Sequence, residues 1–339
     1  MFLVKADLEA PAVAPPEMRH APDAAFGIDA ALLHAAAEAL GAAPGSALQR
    51  CARQGTMHRL FHAAGSRSLV RIAAFPGEPW AGLMELECRL APLLRAHGFP
   101  VPGCVFHALG ATRGVQSVDL VEGASLDTRD ADEAATQRGL RAAAALLARV
   151  HRIPGAGAGP LSLERLRAGA AIAGLHASWP EFVRLRLDDH LRECEAMGAM
   201  SAAEAARARA AFRGPLLEGA AGGALLHGDP GGHNFIMWGD EVAGLIDWED
   251  ALVGDPLFEV ASMCTFHPVR RHAAIFAGHG LEPRRATPSW DRFWLYFLRI
   301  ALAKTVHRHR FGYADTPGRS PAAARIQLAL RELDAGEAA

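Results

Sequence analysis

Near Gly123 the hydrophobic pattern of this 339-residue chain changes its period, and that change limits the folds open to it. Before it, short apolar segments run at Leu48 to Arg53, His58 to His62, Ser68 to Ala74, Val105 to Leu109 and Val115 to Val121. Gly55 and Gly65 punctuate them, as in a strand meander with tight turns. One helix is embedded in the run. Met84 to His97 carries Leu86, Leu90, Leu93 and Leu94 at helical spacing and stops at Gly98, ahead of Pro100 and Pro102. Ile28 to Leu40 predicts an earlier helix, and residues 1–25, rich in Ala and Pro without a period, predict an extended arm. After Gly123, residues 132–152, 161–197 and 201–220 have helical spacing, short apolar runs return near 224, and the chain from Asp255 to about Leu333 is helical again. The expected fold is α+β and bilobal: an arm (1–25), a small lobe with an antiparallel sheet and one helix (26–121), and a larger, mainly helical lobe (122–339).

Composition removes several classes of function. Half the residues are apolar, enough for a large core, and the net charge of −2 offers no basic field for nucleic acid. The five cysteines, Cys51, Cys88, Cys104, Cys194 and Cys264, contain no C-x-x-C pair, which argues against a disulfide framework or a thiolate metal site. No uncharged apolar run approaches the ~20 residues of a membrane span, and no signal segment opens the chain, so the expectation is a cytoplasmic protein with no membrane partner. Gly155 to Gly159 lacks the spacing of a dinucleotide fingerprint and predicts a loop.

The chemistry concentrates in Leu225-Leu-His-Gly-Asp-Pro-Gly-Gly-His-Asn-Phe-Ile-Met-Trp238, Gly244-Leu-Ile-Asp-Trp-Glu-Asp250 and Gly254-Asp-Pro256. Apolar residues on either side of 227–234 predict two buried strands joined by a loop that Pro230, Gly231 and Gly232 turn tightly. That loop holds Asp229 and Asn234 close together, and Asp247 arrives at the end of another apolar strand. Two carboxylates and an amide oxygen suit a hard cation such as Mg²⁺ that bridges phosphates. His233 is expected to be a loop residue; Glu249 and Asp250 are expected to be solvated loop carboxylates, with support of the metal site as their alternative role.

The string H-G-D-x-x-x-x-N, then I-D-W-E, then G-D-P resembles the aminoglycoside phosphotransferase and choline kinase family, whose members have a protein-kinase-like fold. The resemblance implies Asp229 as the aspartate that orients an acceptor hydroxyl and takes its proton, and Asn234 and Asp247 as ligands of Mg²⁺. It implies His227 as a brace of the loop, Asp255 as a structural carboxylate beneath it and His151 as structural. It also implies ATP or GTP as co-substrate and a small-molecule hydroxyl as acceptor.

On the nucleotide side no G-x-x-x-x-G-K-[ST] occurs, which removes the P-loop architecture. Gln54 to Phe61, with Gly55, resembles the family's turn between the first two strands. Ser68 to Ile72 aligns with the strand bearing the phosphate-binding cation, which is Arg71 here where the best-known members have lysine. Arginine is permanently charged and can grip phosphate through two donors. Counting back from Pro100-Val-Pro102 gives Glu87 as its partner, with Glu85 as the alternative. Ser117 to Gly123 resembles the inter-lobe connection, so backbone contacts to the base are expected from Asp119 to Val121.

The acceptor side is less legible. Residues 160–220 hold eight acidic and eight basic side chains, giving no polycation-selective surface. Trp290, Phe293, Trp294, Tyr296 and Phe297 form an aromatic stripe expected in the core. Two other readings stay open: a nucleotide-binding or regulatory protein without turnover, and a metallohydrolase using His227, Asp229, His233 and Asp247.

Overall fold

The computed structural model of the chain describes residues 15–41, 47–55, 57–63, 66–110, 113–129, 131–220, 222–282, 287–313 and 321–337. Helices α1 (Pro15–Met18) and α2 (Ala30–Ala39) precede strands β1 (Leu48–Arg50), β2 (His58–Ala63) and β3 (Ser68–Ala73), helix α3 (Glu78–Ala96), and strands β4 (Cys104–Leu109) and β5 (Arg113–Asp119). The strands form one antiparallel sheet in the order β1-β2-β3-β5-β4. Alternation along β3 decides what this sheet can do. Val70 and Ile72 point into the small-lobe core with Phe61 and Val115. Arg71, directly opposite Gln116 on β5, points to the other face, where α3 lies.

Residues 15–26 differ from the extended arm the sequence suggests. They are helical at Pro15–Met18 and, as a 3₁₀ turn, at Asp23–Phe26. The cause is Arg59, fully buried on β2, which donates to Met18 O at 2.7 Å and Ala21 O at 2.9 Å and pairs with Asp23 at 2.7 Å. Satisfying a buried guanidinium requires this segment, and Met18 and Phe26 enter the core with it. Residues 1–14 lie outside the described residues.

Beyond the connection come β6 (Ala124–Ser125), α4 (Glu133–Val150), β7 (Ala158–Leu161), α5 (Leu163–Arg167), β8 (Gly174–His176), α6 (Trp179–Arg184), α7 (Leu187–Ala196), α8 (Ala202–Arg213), β9 (Ala224–Leu226), β10 (Phe235–Trp238), β11 (Glu241–Leu245), β12 (Leu252–Gly254), α9 (Pro256–Thr265), α10 (His272–His279), α11 (Pro288–Arg310) and α12 (Ala322–Glu337). Two small sheets, β11-β10-β6 and β8-β7-β12-β9, carry the loops of chemical interest among these helices. The helical run expected over 161–197 is broken into three helices and a strand. Ser178 caps a new helix through its bond from Glu181 N, and Trp179 and Phe182 need a separate helix axis to reach the core. The Gly155–Gly159 stretch is likewise partly strand, because β7 begins at Ala158. The aromatic stripe of α11 is largely core: Phe293, Trp294, Tyr296 and Phe297 are buried, and Trp290 packs against them half-buried.

Helix α3 belongs to both lobes. Its Leu86, Leu90, Ala91 and Leu94 join the large-lobe core, while its Glu87 faces β3. Among the described residues no helix is long and apolar enough to cross a membrane.

Candidate active site

Leu225 and Leu226 end β9 and Phe235 begins β10, all with no exposure, so the intervening residues 227–234 are pinned at both ends. The first turn needs glycine. Gly228 has φ of +89°, and a Cβ there would lie 1.9 Å from the carbonyl oxygen of Asp250. His227 fastens the loop to the strand leading to Asp247: its Nδ1 accepts from Asp229 N at 3.3 Å and its Nε2 donates to Ile246 O at 2.9 Å. These two bonds fix the proton on Nε2.

Glu259 of α9 holds the loop from beneath, a role the sequence did not suggest. Fully buried, it accepts from the backbone N–H groups of His227 at 3.0 Å and Gly228 at 2.6 Å. His151 Nε2 meets the same carboxylate at 2.8 Å, and His151 Nδ1 meets His279 Nε2 at 2.8 Å. Burial favours protonation of Glu259, but the hydrogen bond and charge of His151 outweigh it and keep the carboxyl below its ordinary range. Asp255 caps α9 through Leu257 N at 3.0 Å and accepts from Tyr296 Oη at 3.0 Å, so it ties α9 to α11; burial pushes its carboxyl upward.

Asp229 stands at the mouth of this loop. Asn234 Nδ2 donates to its backbone oxygen at 2.9 Å and to its Oδ2 at 3.3 Å, and His233 Nε2 lies 3.2 Å from Oδ2. Burial would raise the Asp229 carboxyl, yet the hydrogen bond and charge of His233 and the charge of Lys304 hold it well below the usual carboxylate range. His233 answers in kind. Burial alone would lower it, but the carboxylates of Asp127 and Asp229 on either side of the ring raise it to about 10. Asp229 is therefore an anion at neutral pH.

Asp247 follows β11 with φ of +68°, one of two non-glycine residues among those described in the left-handed region. Such strain persists where the surroundings hold it, and here they do. Arg71 NH2 donates to Asp247 Oδ1 at 2.8 Å while its NH1 donates to Glu87 Oε2 at 2.8 Å. Burial would weaken the Arg71 charge, but Glu87, Asp247 and Glu249 outweigh it and raise its pKa. Burial and the neighbouring Glu249 push the Asp247 carboxyl up against the pull of the guanidinium. Gln116 Nε2 supports Glu87 Oε2 at 3.0 Å, and Trp248 N donates to Glu87 Oε1 at 3.2 Å. Glu85, the alternative partner, is occupied elsewhere by Arg89 and Arg167.

Glu249 departs from the expectation of a solvated carboxylate. It is 5 % exposed and lies 2.6 Å from His58 Nε2 of β2, because the 3₁₀ turn Trp248–Asp250 folds it under the small-lobe sheet. His58, Gln116, Asp127, Glu259 and Lys304 were all missed by sequence reasoning. Of these, Glu259 carried the best signal, four residues into the helix that Asp255-Pro256 opens.

The remaining residues sit around this centre. Gly55 lies in the β1–β2 turn, where a Cβ would come within 2.8 Å of His58 O, and Gln54 closes that turn through Cys51 O, Leu60 O and Leu60 N, each at 2.8 Å. Asp119 ends β5 and Val121 packs against Gly244 of β11, so the connection between the lobes touches the strand that delivers Asp247. Oxygen donors for a hard cation are available. With its amide nitrogen turned to Asp229, Asn234 has its carbonyl oxygen left over, and Asp247 has the carboxylate oxygen that Arg71 does not take. The metallohydrolase ligand set does not assemble, because both ring nitrogens of His227 are bound to backbone. Among the described residues, the His, Cys, Asp and Glu cluster close enough to share an ion is His58, Asp247 and Glu249, with neither His227 nor His233.

The model of a family described as the phosphotransferase enzyme family matches residues 54–296. Solved structures share the fold. A thermostable mutant of aminoglycoside phosphotransferase APH(4)-Ia, in ternary complex with AMP-PNP and hygromycin B, aligns at 18 % identity with a TM-score of 0.62, covering 89 % of this chain and 98 % of its own. A putative fructosamine-3-kinase from Haemophilus somnus 129PT aligns at 15 % identity and TM-score 0.56, covering 89 % and 96 %. A choline/ethanolamine kinase family protein from Mesorhizobium loti aligns at 18 % identity and TM-score 0.54, covering 90 % and 94 %. No curated protein matches.

Proposed function

Because the chain belongs to the phosphotransferase enzyme family, we propose that it moves the γ-phosphate of ATP or GTP, with Mg²⁺, to a hydroxyl of a small molecule. The observation that carries this reading is the stitching of two loops into one charged cleft. Ile246 N donates to Asn234 O at 3.0 Å and His227 Nε2 to Ile246 O at 2.9 Å, so Asp229, Asn234 and Asp247 cannot drift apart.

Each group then has a task its environment suits. Asp229, held as an anion, accepts the hydrogen bond of the acceptor O–H, aligns its oxygen with the phosphorus, and takes the proton as the new O–P bond forms. Arg71 has spent two of its five N–H donors on Glu87 and Asp247, which leaves others for phosphate oxygens. Asn234 and Asp247 would hold Mg²⁺, which supplies neutralisation of the charge that builds on the transferring phosphoryl group. Gly55 lets the β1–β2 turn approach the phosphates, and the backbone from Asp119 to Val121 meets the base. His227, Glu259 and Asp255 keep the loop in register.

The acceptor is a hydroxyl compound without strong polycationic character, since residues 160–220 balance their charges and the side chains beside Asp229 include His233 and Lys304. The test is a nucleoside-diphosphate production screen across amino-alcohols, sugars, antibiotics and nucleosides, with Asp229→Asn as control. Metal-dependent turnover with one acceptor class, lost in the control, supports the reading. Nucleotide binding without turnover on any acceptor makes the chain a binding protein instead.

A further inference from the structure

Asp229 presents its two oxygens differently. Oδ1 is buried and has no hydrogen-bond partner among the described residues, so it contributes almost none of the 16 % exposure that the side chain retains. Oδ2 is the oxygen an acceptor can reach, and His233 Nε2 already sits on it at 3.2 Å. The imidazole therefore stands where an acceptor hydroxyl has to arrive.

We propose that His233 is a positioning residue that keeps the acceptor's place on Asp229 until an acceptor displaces it, and so keeps water from taking the phosphate. The inference rests on the phosphotransferase reading above. His233 is held in this place by its surroundings on several sides. Its Nδ1 faces Asp127 Oδ2 at 3.9 Å, and the edge of Phe266 lies against it with ring centroids 6.0 Å apart. The two glycines before it make the room: a Cβ on Gly231 would fall 2.2 Å from His233 Cε1, and a Cβ on Gly232 would fall 2.2 Å from Asp127 Oδ1. The outer side of the ring remains open, since the side chain is 48 % exposed, so it can turn outward about its Asp127 contact without disturbing the loop.

The chemistry is the same for both acceptors. A hydroxyl that replaces the imidazole donates its proton to Oδ2 as its oxygen bonds to phosphorus, and the bond from phosphorus to the nucleoside diphosphate breaks. Water doing the same yields inorganic phosphate. A multi-contact acceptor can displace the imidazole because its other contacts help it to compete; a single water has none to offer.

The experiment needs no acceptor. Inorganic phosphate release from Mg-ATP is measured for wild type, His233→Ala, His233→Gln and Asp127→Asn, and again for His233→Ala combined with Asp229→Asn. His233→Ala is expected to raise acceptor-free hydrolysis about tenfold, the scale of one charge-assisted hydrogen bond removed from competition. The nucleotide KM stays the same. His233→Gln, which keeps an N–H donor, stays near wild type. Asp127→Asn, which leaves the loop sequence intact should the alanine variant fail to fold, gives a smaller rise. Hydrolysis unchanged or lower in folded His233→Ala and Asp127→Asn overturns the inference, as does a rise that survives the added Asp229→Asn. Wild type that neither binds nor hydrolyses Mg-ATP or Mg-GTP overturns the phosphotransferase reading itself.

Discussion

Asp229 and Asp247 serve one cleft but are held in opposite ways. Asp229 takes its side-chain partners from His233 and Asn234, four and five residues along the chain. Asp247 is held by Arg71, 176 residues earlier, and the Glu249 beside it by His58, 191 residues earlier. The side-chain partners of the first come from its own loop, which Glu259 and His151 brace from beneath. The second exists only when the small lobe closes over the large one. Loss of a partner of Asp229 is a change within one lobe, whereas loss of Arg71 or His58 reaches across both.

The two carboxylates should break differently. Asp229→Asn is expected to reduce turnover by about 10²-fold or more while Mg-nucleotide still binds, because a positioned base contributes on that scale. Asp247→Ala is expected to abolish metal-dependent nucleotide binding instead. Equilibrium binding and steady-state kinetics on both variants check this, and the same defect in both would erase the distinction.

Removing Arg71 tests the cross-lobe cluster. Arg71→Met leaves Glu87 and Glu249 buried with their cation gone, which should cost about 3–5 kcal/mol in denaturant unfolding. Arg71→Lys keeps the charge but cannot reach Glu87 and Asp247 with separate nitrogens, so a higher nucleotide KM with a smaller stability loss is expected. Equal effects of Met and Lys would show that the fork geometry is irrelevant.

Glu259 tests the local side. Glu259→Gln keeps one acceptor oxygen for the two backbone N–H groups and loses the charge facing His151, so a loss of about 1–3 kcal/mol is expected, with kcat falling about tenfold and nucleotide KM unchanged. A change in KM alone would place Glu259 in the nucleotide site.

A further effect concerns pH and separates the fold from the site. His190 is held down to about 3 by burial and then by Arg299, and His279 to about 4 by burial and then by His151. Because both folded values lie below the ordinary histidine value, their contribution is complete above about pH 6.5 and is lost as pH falls below it. Each should remove about 1–2 kcal/mol between pH 6.5 and 5. Urea unfolding at pH 7 and pH 5 measures this, and equal stability at the two would contradict it.

The sequence made the local half of the site readable. The apolar flanks, the turn glycines and the spacing of Asp229, Asn234 and Asp247 all act within short stretches, and the resemblance adds Arg71 and Glu87. His58, Gln116 and Glu259 were silent because their partners lie 191, 29 and up to 108 residues away, and no periodicity records such pairings. Glu249 was misread for the same reason: in sequence it is one acid among three between Asp247 and Asp250, and only the sheet above it makes it buried. The helices of 161–197 ran together in the reading because Ala, Leu, Arg and Glu favour helix throughout, and only packing shows where one axis must give way to another.

The central claim is a shared metal position between the two loops, and a crystal structure of the chain with Mg²⁺ and a non-hydrolysable nucleoside triphosphate tests it most directly. The expected result is one Mg²⁺ bonded at about 2.1 Å to Asn234 Oδ1 and an Asp247 oxygen, with the γ-phosphate facing Asp229. A nucleotide bound elsewhere, or a metal that touches neither residue, would contradict the account.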